Sequence, residues 1–580
     1  MAEVLISPGV LARENDQSQI TAGPVQAGAA IIGPTVKGQT DIPKLVTSYS
    51  EYLANFGSTF LYSGSNTTFF TSISAYNYFQ NGGTSLLVTR VTPGDFTAAT
   101  SSMIATGSDG PTNAEGPFVL ETLSHGAIMN STGSGDAQGA NGTLASGSSD
   151  NFRWEITNPN TSSGVFSVII RQGNDTETAK QVVETFSNVS LDPLSTNYIS
   201  KVIGDQAQNV RGSAGNYYLQ SSGSFRNASR FVRVSEVYNQ TPNYLDNNGT
   251  AKDIFTGSIP VAQSGAFAGA VGDISGSGTT TSYYNNVNDN QAQGLIGTDY
   301  SIGIELLANR DDFRYNLITA PGLILANGTS GAGWTTIQSN CETRGDAIFV
   351  GDLVNYDSSL TQVTTQASSV DSSYVATYWP WLQVIDPDSR ELVWVPASTM
   401  IPGVYAFNDR AGEPWFAPAG INRGGLGAVN QAERKLTNTD RDNLYVGKVN
   451  PIATFPGQGI VVFGQKTLQT KASALDRVNV RRLLITLKNY ISQIADTLVF
   501  EQNTAATRNT FLSQVNPYLE SVQQRQGLYA FKVVMDNTNN TPDVIDRNEL
   551  IGAVYLQPTK TAEFIYLDFN ILPTGATFPA

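Results

Sequence analysis

The last hundred residues constrain the fold of this chain most, because two amphipathic helices there run directly into alternating strands. Over 476–501, apolar residues recur at three- and four-residue steps, which predicts one apolar stripe on a helix with Asp476 as its N-cap. A second helical pattern spans 511–522, restarts at Pro517 and stops at Gly527. The stripe of the first helix consists of Val480, Leu483, Leu484, Leu487, Ile491, Ile494, Leu498 and Val499.

Two strand patterns follow these helices. Residues 528–535 alternate apolar and polar positions, the period-2 pattern of a half-buried strand. The tail over 562–571 alternates as well, and Pro573 ends it. A strand left at a sheet edge needs a partner, which is either 551–556 of the same chain or a neighbouring subunit. The apolar face of the tail consists of Ile565, Leu567, Phe569 and Ile571.

This C-terminal stretch resembles the C-terminal domain of the tail sheath proteins of contractile-tailed bacteriophages. The resemblance is carried by NVRRLLITL at 479–487, QRQGLYAFKVV at 524–534, TPDVIDRNEL at 541–550 and VYLQPTKTAEFIYLDFN at 554–570. Earlier segments resemble the same family, so the likeness covers somewhat more than half of the chain and leaves out about 93–340. These segments are LISPGVLARE at 5–14, IIGPTVKG at 31–38, LVTSYSEYLANFG at 45–57, YFQNGGTSLLVTRV at 78–91, SYVATYWPWLQVIDP at 373–387, GEPWFAPAGINRGGLGAV at 412–429 and VNPIATFPGQGIVVFG at 449–464.

The remaining pattern predicts a mixed α/β and α+β protein of several domains. Ser48 and Glu51 form a capping-box pattern for a helix that ends at Gly57, and an apolar strand follows a second helix. Past residue 94 the sequence becomes rich in Gly, Ser, Thr and Asn, and its strand patterns are short. We therefore expect an extended arm at 1–20, a discontinuous α/β core from 21–93 and 341–470, an inserted β-rich and protruding part at 94–340, and a C-terminal sheath domain with terminal strand at 471–580.

Composition excludes several classes of protein. The formal net charge of −15 argues against general binding to nucleic acid or anionic membranes. A single cysteine allows no disulfide within the chain. The first residues lack the pattern of a secretory signal, and no apolar run is long enough to span a membrane, so we expect assembly in the host cytoplasm and no membrane insertion.

Candidate catalytic and metal-binding residues are few. His125 is the only histidine and Cys341 the only thiol, which argues against Ser-His-Asp and Cys-His catalysis and the usual zinc sites. We expect His125 on a surface loop and Cys341 as a small buried apolar residue. GIVVFGQKT at 459–467 departs from a phosphate-binding loop and favours a strand, and the acidic residues over 536–549 favour turns and caps over calcium binding. The sequence therefore predicts no enzyme and no cofactor.

The family resemblance implies a structural subunit of a contractile tail. Such subunits form hexameric rings stacked helically around a tail tube, and their contraction drives the tube through the host cell envelope. The implied partners are further copies of the chain, the tail tube protein, and baseplate and tail terminator proteins, with no direct contact to nucleic acid. The implied location is the virion tail.

Two sets of residues are candidate contacts in that assembly. Extended ends with one apolar face favour exchange of strands between subunits, in which a head-to-tail contact propagates as a helix. The exchange residues would be Val4, Leu5, Ile6 and Val10 at the start and Ile565, Leu567, Phe569 and Ile571 at the end. Basic side chains on the first C-terminal helix are hypothetical contacts to acidic groups of the tube, namely Arg477, Arg481 and Lys488. Arg482 is rotated about the helix axis by about 100° from Arg481, so it does not share their side of the helix.

Two alternatives stay open at this point. Within the same class, the chain fits the sheath of a phage-like injection particle such as a bacteriocin or secretion apparatus. From another class, the Gly- and Ser-rich middle would fit a β-rich adhesin or an enzyme that cleaves glycans. The second alternative predicts an export signal, a carbohydrate cleft and activity on glycans.

Overall fold

The computed structural model describes residues 25–62, 65–101, 104–107, 116–130, 140–273, 287–289 and 291–564 of the 580-residue chain. They form a central sheet covered by helices, an inserted antiparallel sheet, and a C-terminal unit of two helices and a hairpin. The predicted mixed α and β class with several domains is confirmed at this level. In the described part of the chain, no helix has the length and apolar character needed to cross a membrane.

An eight-stranded sheet forms the centre of the molecule. Six of its strands run parallel, and an antiparallel strand closes each end. Parallel strands must be covered on both faces, which is why those over 29–33, 86–90 and 348–352 are buried along their whole length. In spatial order the strands are Gly459–Val462, Asn450–Phe455, Val375–Trp379, Ile348–Asp352, Leu317–Ile324, Ala29–Gly33, Leu86–Arg90 and Lys44–Val46.

Alternate side chains of the central strands enter two separate cores. Ala29 and Ile31 belong to one core, whereas Ala30 and Ile32 belong to the other, as the period of two requires. Helices Tyr49–Phe56, Phe70–Gln80 and Ile401–Ala411 cover the first face. Helices Ser301–Ala308, Gly331–Arg344, Leu360–Ser368 and Asn438–Val446 cover the second.

The first helix begins as its sequence predicts. Ser48 is the N-cap and its hydroxyl accepts the backbone N–H of Glu51 at 3.2 Å. The carboxylate of Glu51 reaches back to the N–H of Thr47 at 2.8 Å, one residue before the N-cap position of the usual capping box. The helix ends at Gly57, whose φ of 68° suits glycine.

The predicted boundary of the inserted part at residue 340 differs from the structure. Leu317–Ile324 is a buried strand in the middle of the central sheet, paired in parallel with the strands at 29–33 and 348–352. The helices over 301–308 and 331–344 also pack on that sheet. The core therefore resumes before residue 300, because this apolar run completes the sheet between its two halves.

The inserted part forms its own sheet of seven strands. Its core includes Trp154, Phe166 and Val168, each at most 1% exposed. The two ends of the insertion meet where the N–H of Thr97 donates to the carbonyl of Val271 at 3.0 Å. In spatial order the strands are Val182–Ser190, Val165–Gln172, Phe152–Asn160, Gln263–Ala268, Ala98–Ser101, Phe118–His125 and Val232–Val237, beside a hairpin of Ala207–Arg211 and Tyr218–Ser222.

Smaller elements complete the body. The aromatic run over 374–385 is divided into two strands at the cis Trp379–Pro380 bond, and its second half joins a separate sheet. That sheet consists of Leu392–Val395, Leu382–Ile385 and Val429–Ala432. Further pairs are Val25–Ala27 with Phe313–Tyr315, Thr59–Tyr62 with Ser65–Thr68, and Val287–Asn288 with Gln291–Ala292. Short helical turns are Ala127–Met129, Ala140–Gly142, Ile199–Ile203, Asp253–Thr256, Gly297–Tyr300, Ala397–Thr399 and Pro542–Asp546.

The C-terminal unit packs two helices against one hairpin. The helices are Val478–Asp496 and Ala505–Gln524, and the antiparallel strands are Leu528–Val534 and Ala553–Pro558. Asp476 is not the N-cap as predicted, because it lies in a short turn, Ala474–Asp476, and Arg477 precedes the helix. Pro517 does not restart the second helix but lies inside it. The predicted apolar stripes are confirmed for Leu483, Leu487, Val515 and Leu519, which share one core. Val499 was also expected in the first stripe, but it lies beyond the helix end at Asp496 and is 60% exposed.

Candidate assembly surface

The C-terminal hairpin is the first part of the candidate surface. Phe531 lies opposite Leu556 and Val533 lies opposite Val554, and these four side chains pack against the two helices. Tyr555 stands on the other face of the hairpin and is 62% exposed, as is Tyr529. Among the described residues, neither strand pairs with a third one. An edge of this kind is a template for strand addition.

Both sets of predicted strand-exchange residues lie outside the described residues. These are Val4, Leu5, Ile6 and Val10, and Ile565, Leu567, Phe569 and Ile571. The strand at 553–558, which was one candidate partner for the tail, pairs with 528–534, and residues 561–564 are not in a strand. Exchange of strands by the two arms therefore stays a prediction.

Two of the three basic residues expected to face a tube are at least partly buried against partners inside the chain. The guanidinium of Arg477 contacts the carboxylates of Glu563 at 2.7 Å and Asp476 at 2.9 Å. Arg481 is only 4% exposed, and its guanidinium lies 4.0 Å from the centroid of the Tyr374 ring and donates to the hydroxyl of Ser373. Both side chains thus help to dock the first C-terminal helix on the body.

Lys488, the third of these residues, is placed differently. It lies about two helical turns beyond Arg481 and is exposed, with its ammonium 3.4 Å from the hydroxyl of Tyr374. Arg482, which the helical spacing sets apart, is 5% exposed and pairs with Asp409. Attachment to a tube through the three predicted residues is not tested by these contacts and stays a prediction.

The last described residues lie beside a cavity of about 500 Å³. Residues 561–564 line this cavity together with Tyr445, Phe463 and Gln465. The carboxylate of Glu563 accepts hydrogen bonds from Arg477, from Gln465 at 2.9 Å and from the hydroxyl of Tyr445. This cluster was not anticipated from the sequence. A signal was nevertheless present, because Glu563 interrupts the apolar positions of the alternating tail.

His125 does not lie on a free surface loop, contrary to the prediction. It ends the strand at 118–125, where its Nδ1 accepts the N–H of Thr40 at 3.4 Å. The buried guanidinium of Arg90 donates to the carbonyl of His125 at 2.8 Å and to that of Gly38 at 2.6 Å. Burial, together with the charge of Arg90, lowers the pKa of His125 to about 4. The residue thus belongs to the joint between the inserted sheet and the central body.

The other candidate chemical groups are structural. Cys341 is 1% exposed within the core, as predicted, and burial raises the pKa of its thiol to about 12. The segment resembling a phosphate loop contains the strand at 459–462, also as predicted. The carboxylate of Asp536 accepts the N–H of Thr538 at 2.8 Å in a turn. Over the described part of the chain, no three metal-ligating side chains come together in one group.

Two family matches cover the second half of the chain. Residues 296–468 match the phage tail sheath protein central domain, and residues 470–572 match the phage tail sheath C-terminal domain. The first match begins where the structure returns to the central sheet, and the second contains the two helices and the hairpin. The second half of the chain is therefore similar to the central and C-terminal domains of phage tail sheath proteins.

Similar proteins carry the same description. The tail sheath protein of Vibrio phage KVP40 is 41% identical over 216 residues, which are 37% of this chain and 31% of that protein. The tail sheath protein of Enterobacteria phage T4 is 36% identical over 229 residues, or 40% of this chain and 35% of that protein. The matched region spans about a third of the length of these relatives. A sheath tail protein from Listeria innocua has a similar fold, with a TM-score of 0.51 at 11% identity, covering 93% of this chain and 96% of that one.

Proposed function

We propose that this chain is a structural, non-enzymatic subunit of a contractile phage tail sheath. Subunits would form hexameric rings stacked helically around the tail tube, and the contraction of this lattice would drive the tube through the host cell envelope. The observation that carries the proposal is the hairpin of the C-terminal unit, whose strands lack a third partner among the described residues within a domain matched to sheath proteins. The virion tail is the expected location.

The proposed link between subunits is exchange of strands at this hairpin. The arm at 1–20 and the tail at 562–571 of one subunit would pair with the hairpin edges of others. Support comes from the exposed side chains of Tyr529 and Tyr555 and from the apolar face of the tail. Because a head-to-tail contact of this kind does not close on itself, it propagates as a helix. Such links would keep neighbours joined while the bodies move during contraction.

The proposed partners follow from the same assembly. The first C-terminal helix would meet acidic groups of the tail tube through Lys488, with Arg477 and Arg481 holding that helix in position. Baseplate and tail terminator proteins would contact the ends of the cylinder. The inserted sheet, whose two ends meet at Thr97 and Val271, would protrude from the body.

Negative-stain electron microscopy of the purified protein tests this proposal. We expect hollow cylinders from the full chain, and soluble particles with no cylinders after deletion of 1–20 or of everything beyond Lys560. Cooperative thermal unfolding of both shortened proteins is the control that their bodies still fold. If both still form cylinders of normal length, exchange of strands is wrong for this chain. A full-length protein that stays monomeric under all salt conditions contradicts the sheath assignment itself.

A further inference from the structure

One carboxylate holds the last described residues of the chain against the body. Both oxygens of Glu563 are occupied, because Arg477 donates through Nε to Oε1 at 2.7 Å and through Nη2 to Oε2 at 3.0 Å. Gln465 donates to Oε1 at 2.9 Å, and the hydroxyl of Tyr445 donates to Oε2. The same amide of Gln465 also donates to the hydroxyl of Thr561 at 2.6 Å. We refer to these contacts of Glu563 as the tail lock.

The tail lock joins Glu563 to three separate segments. Tyr445 comes from the helix at 438–446 and Gln465 follows the strand at 459–462, so both belong to the central domain. Arg477 stands at the start of the first C-terminal helix. Glu563 is 86 residues further along the chain than Arg477. The lock therefore fixes the end of the C-terminal domain to the domain that precedes it.

Polar contacts, not apolar burial, hold this part of the tail. Thr561 and Ala562 are exposed, and Phe564 is 67% exposed although its ring meets that of Tyr445 edge-on at 6.4 Å. The side chains of Arg477 and Glu563 are 24% and 19% exposed, so water screens their pairing less than it screens an open surface pair. A two-point contact between guanidinium and carboxylate also fixes orientation.

The pKa shifts of Glu563 and Arg477 agree with the geometry of the tail lock. Burial alone would raise the pKa of Glu563, but the hydrogen bonds from Arg477, Tyr445 and Gln465 more than offset it and keep this pKa below its ordinary value of 4.5. The pKa of Arg477 is raised, because its hydrogen bonds to Glu563 outweigh burial. Both groups are thus charged at neutral pH.

We infer that Glu563 is a positioning residue that anchors the base of the C-terminal arm, setting the point from which the arm reaches a neighbouring subunit. This inference rests on the exchange of strands proposed above. An arm with a fixed base loses less conformational freedom when it binds than one that swings from the end of the hairpin at Pro558. A force that pulls on the arm is also transmitted to the central domain through Gln465 and Tyr445, and not only to the two-stranded hairpin.

Trypsin cleavage of the unassembled protein measures the anchor directly. Lys560 is exposed and immediately precedes the locked residues, so cleavage there releases a peptide of residues 561–580 that mass spectrometry can quantify. Removing the charge of the carboxylate with Glu563→Gln should speed this release about tenfold, as loss of about 1.4 kcal/mol predicts. Glu549→Gln is the matched control, since it removes the carboxylate of an exposed ion pair with Arg547 in the same domain.

A second pair of proteins connects the anchor to assembly. The chain shortened after Phe564 retains the lock, whereas the chain shortened after Lys560 lacks it, and thermal unfolding reports whether each body is intact. In the full chain, Glu563→Gln should lower the yield of cylinders at a given protein concentration, and Glu549→Gln should not. The two shortened chains should differ in unfolding temperature, the one with the lock being the more stable.

The outcomes separate the two proposals. Equal release of the peptide from wild type, Glu563→Gln and Glu549→Gln overturns the anchor, whatever the protein assembles into. Faster release with an unchanged yield of cylinders overturns its positioning role. Failure of the wild-type chain to form cylinders counts against the sheath function, while the cleavage rates still decide whether Glu563 holds the tail.

Discussion

Reversing the charge of two basic residues on the same helix should have different consequences. Lys488 is exposed, and its ammonium donates to the hydroxyl of Tyr374 at 3.4 Å. Lys488→Glu should therefore change the free energy of unfolding by no more than about 0.5 kcal/mol, as for most surface substitutions. Arg481 is buried on the ring of Tyr374, so Arg481→Glu loses that stacking and buries a carboxylate against the ring. We expect a cost of about 2–4 kcal/mol.

Tube attachment, unlike stability, should depend on Lys488. An exposed ion pair stabilises by only about 0.5 kcal/mol, but six copies in each proposed ring would bring the total to about 3 kcal/mol, or about 100-fold in attachment. Lys488→Glu should remove this attachment and show the strongest effect at low salt, because salt screens exposed pairs. Lys201→Glu makes the same change in net charge on the inserted sheet and is the matched control.

Two measurements check this prediction. Denaturant unfolding gives the stability of each variant. Co-sedimentation of sheath with purified tubes gives attachment at about 50 mM and 300 mM salt, between which the Debye length shortens about 2.5-fold. If the Lys488→Glu and Lys201→Glu proteins attach to tubes equally well at low salt, a role of Lys488 at the tube is refuted. Equal stabilities of the Lys488→Glu and Arg481→Glu proteins refute the assignment of Arg481 to the docking of the helix.

Two further predictions follow from the fold and the tail lock. Replacing residues 97–271 by a short Gly/Ser linker should leave a soluble, cooperatively folded protein because Thr97 and Val271 are already joined, whereas replacing 95–340 removes a central strand and should abolish soluble expression. The stability that Glu563 adds over Glu563→Gln should be full above pH 4.5 and disappear as the pH falls through the lowered pKa of Glu563. Unfolding free energies of both proteins between pH 3 and pH 8, a window around the ordinary pKa of Glu, check the sign.

Local patterns in the sequence predict much of this fold. The Ser48–Glu51 pattern gives the start of its helix, and apolar periodicity gives both C-terminal helices, because each signal depends on neighbouring residues. The strand at 317–324 is missed because it contains Pro321 and Gly322, which argue against a central strand. The sheet tolerates them at an irregularity, where the register between this strand and the one at 348–352 shifts between Thr319 and Ile324.

The contacts of the candidate surface are less predictable because they join distant residues. Arg481 looks like part of a solvated helix face until Ser373, 108 residues away, is placed beside it. Glu563 looks like an interruption of an alternating strand until Arg477 and Gln465 surround its carboxylate. Charge patterns locate such residues along the chain, but only the fold decides whether a cation meets solvent or an internal partner.

These contacts bear on how a sheath of this chain would contract. The first C-terminal helix is docked on the body by Arg481 and by the pair of Arg482 with Asp409, and the end of the same domain is held by Glu563. These contacts join the central and C-terminal domains at separate points, so the two domains should move as one unit. The change between long and short lattices would then occur at contacts between subunits and in the two arms. Rigid bodies joined by flexible strands can repack without unfolding, so the energy for contraction would reside in the lattice.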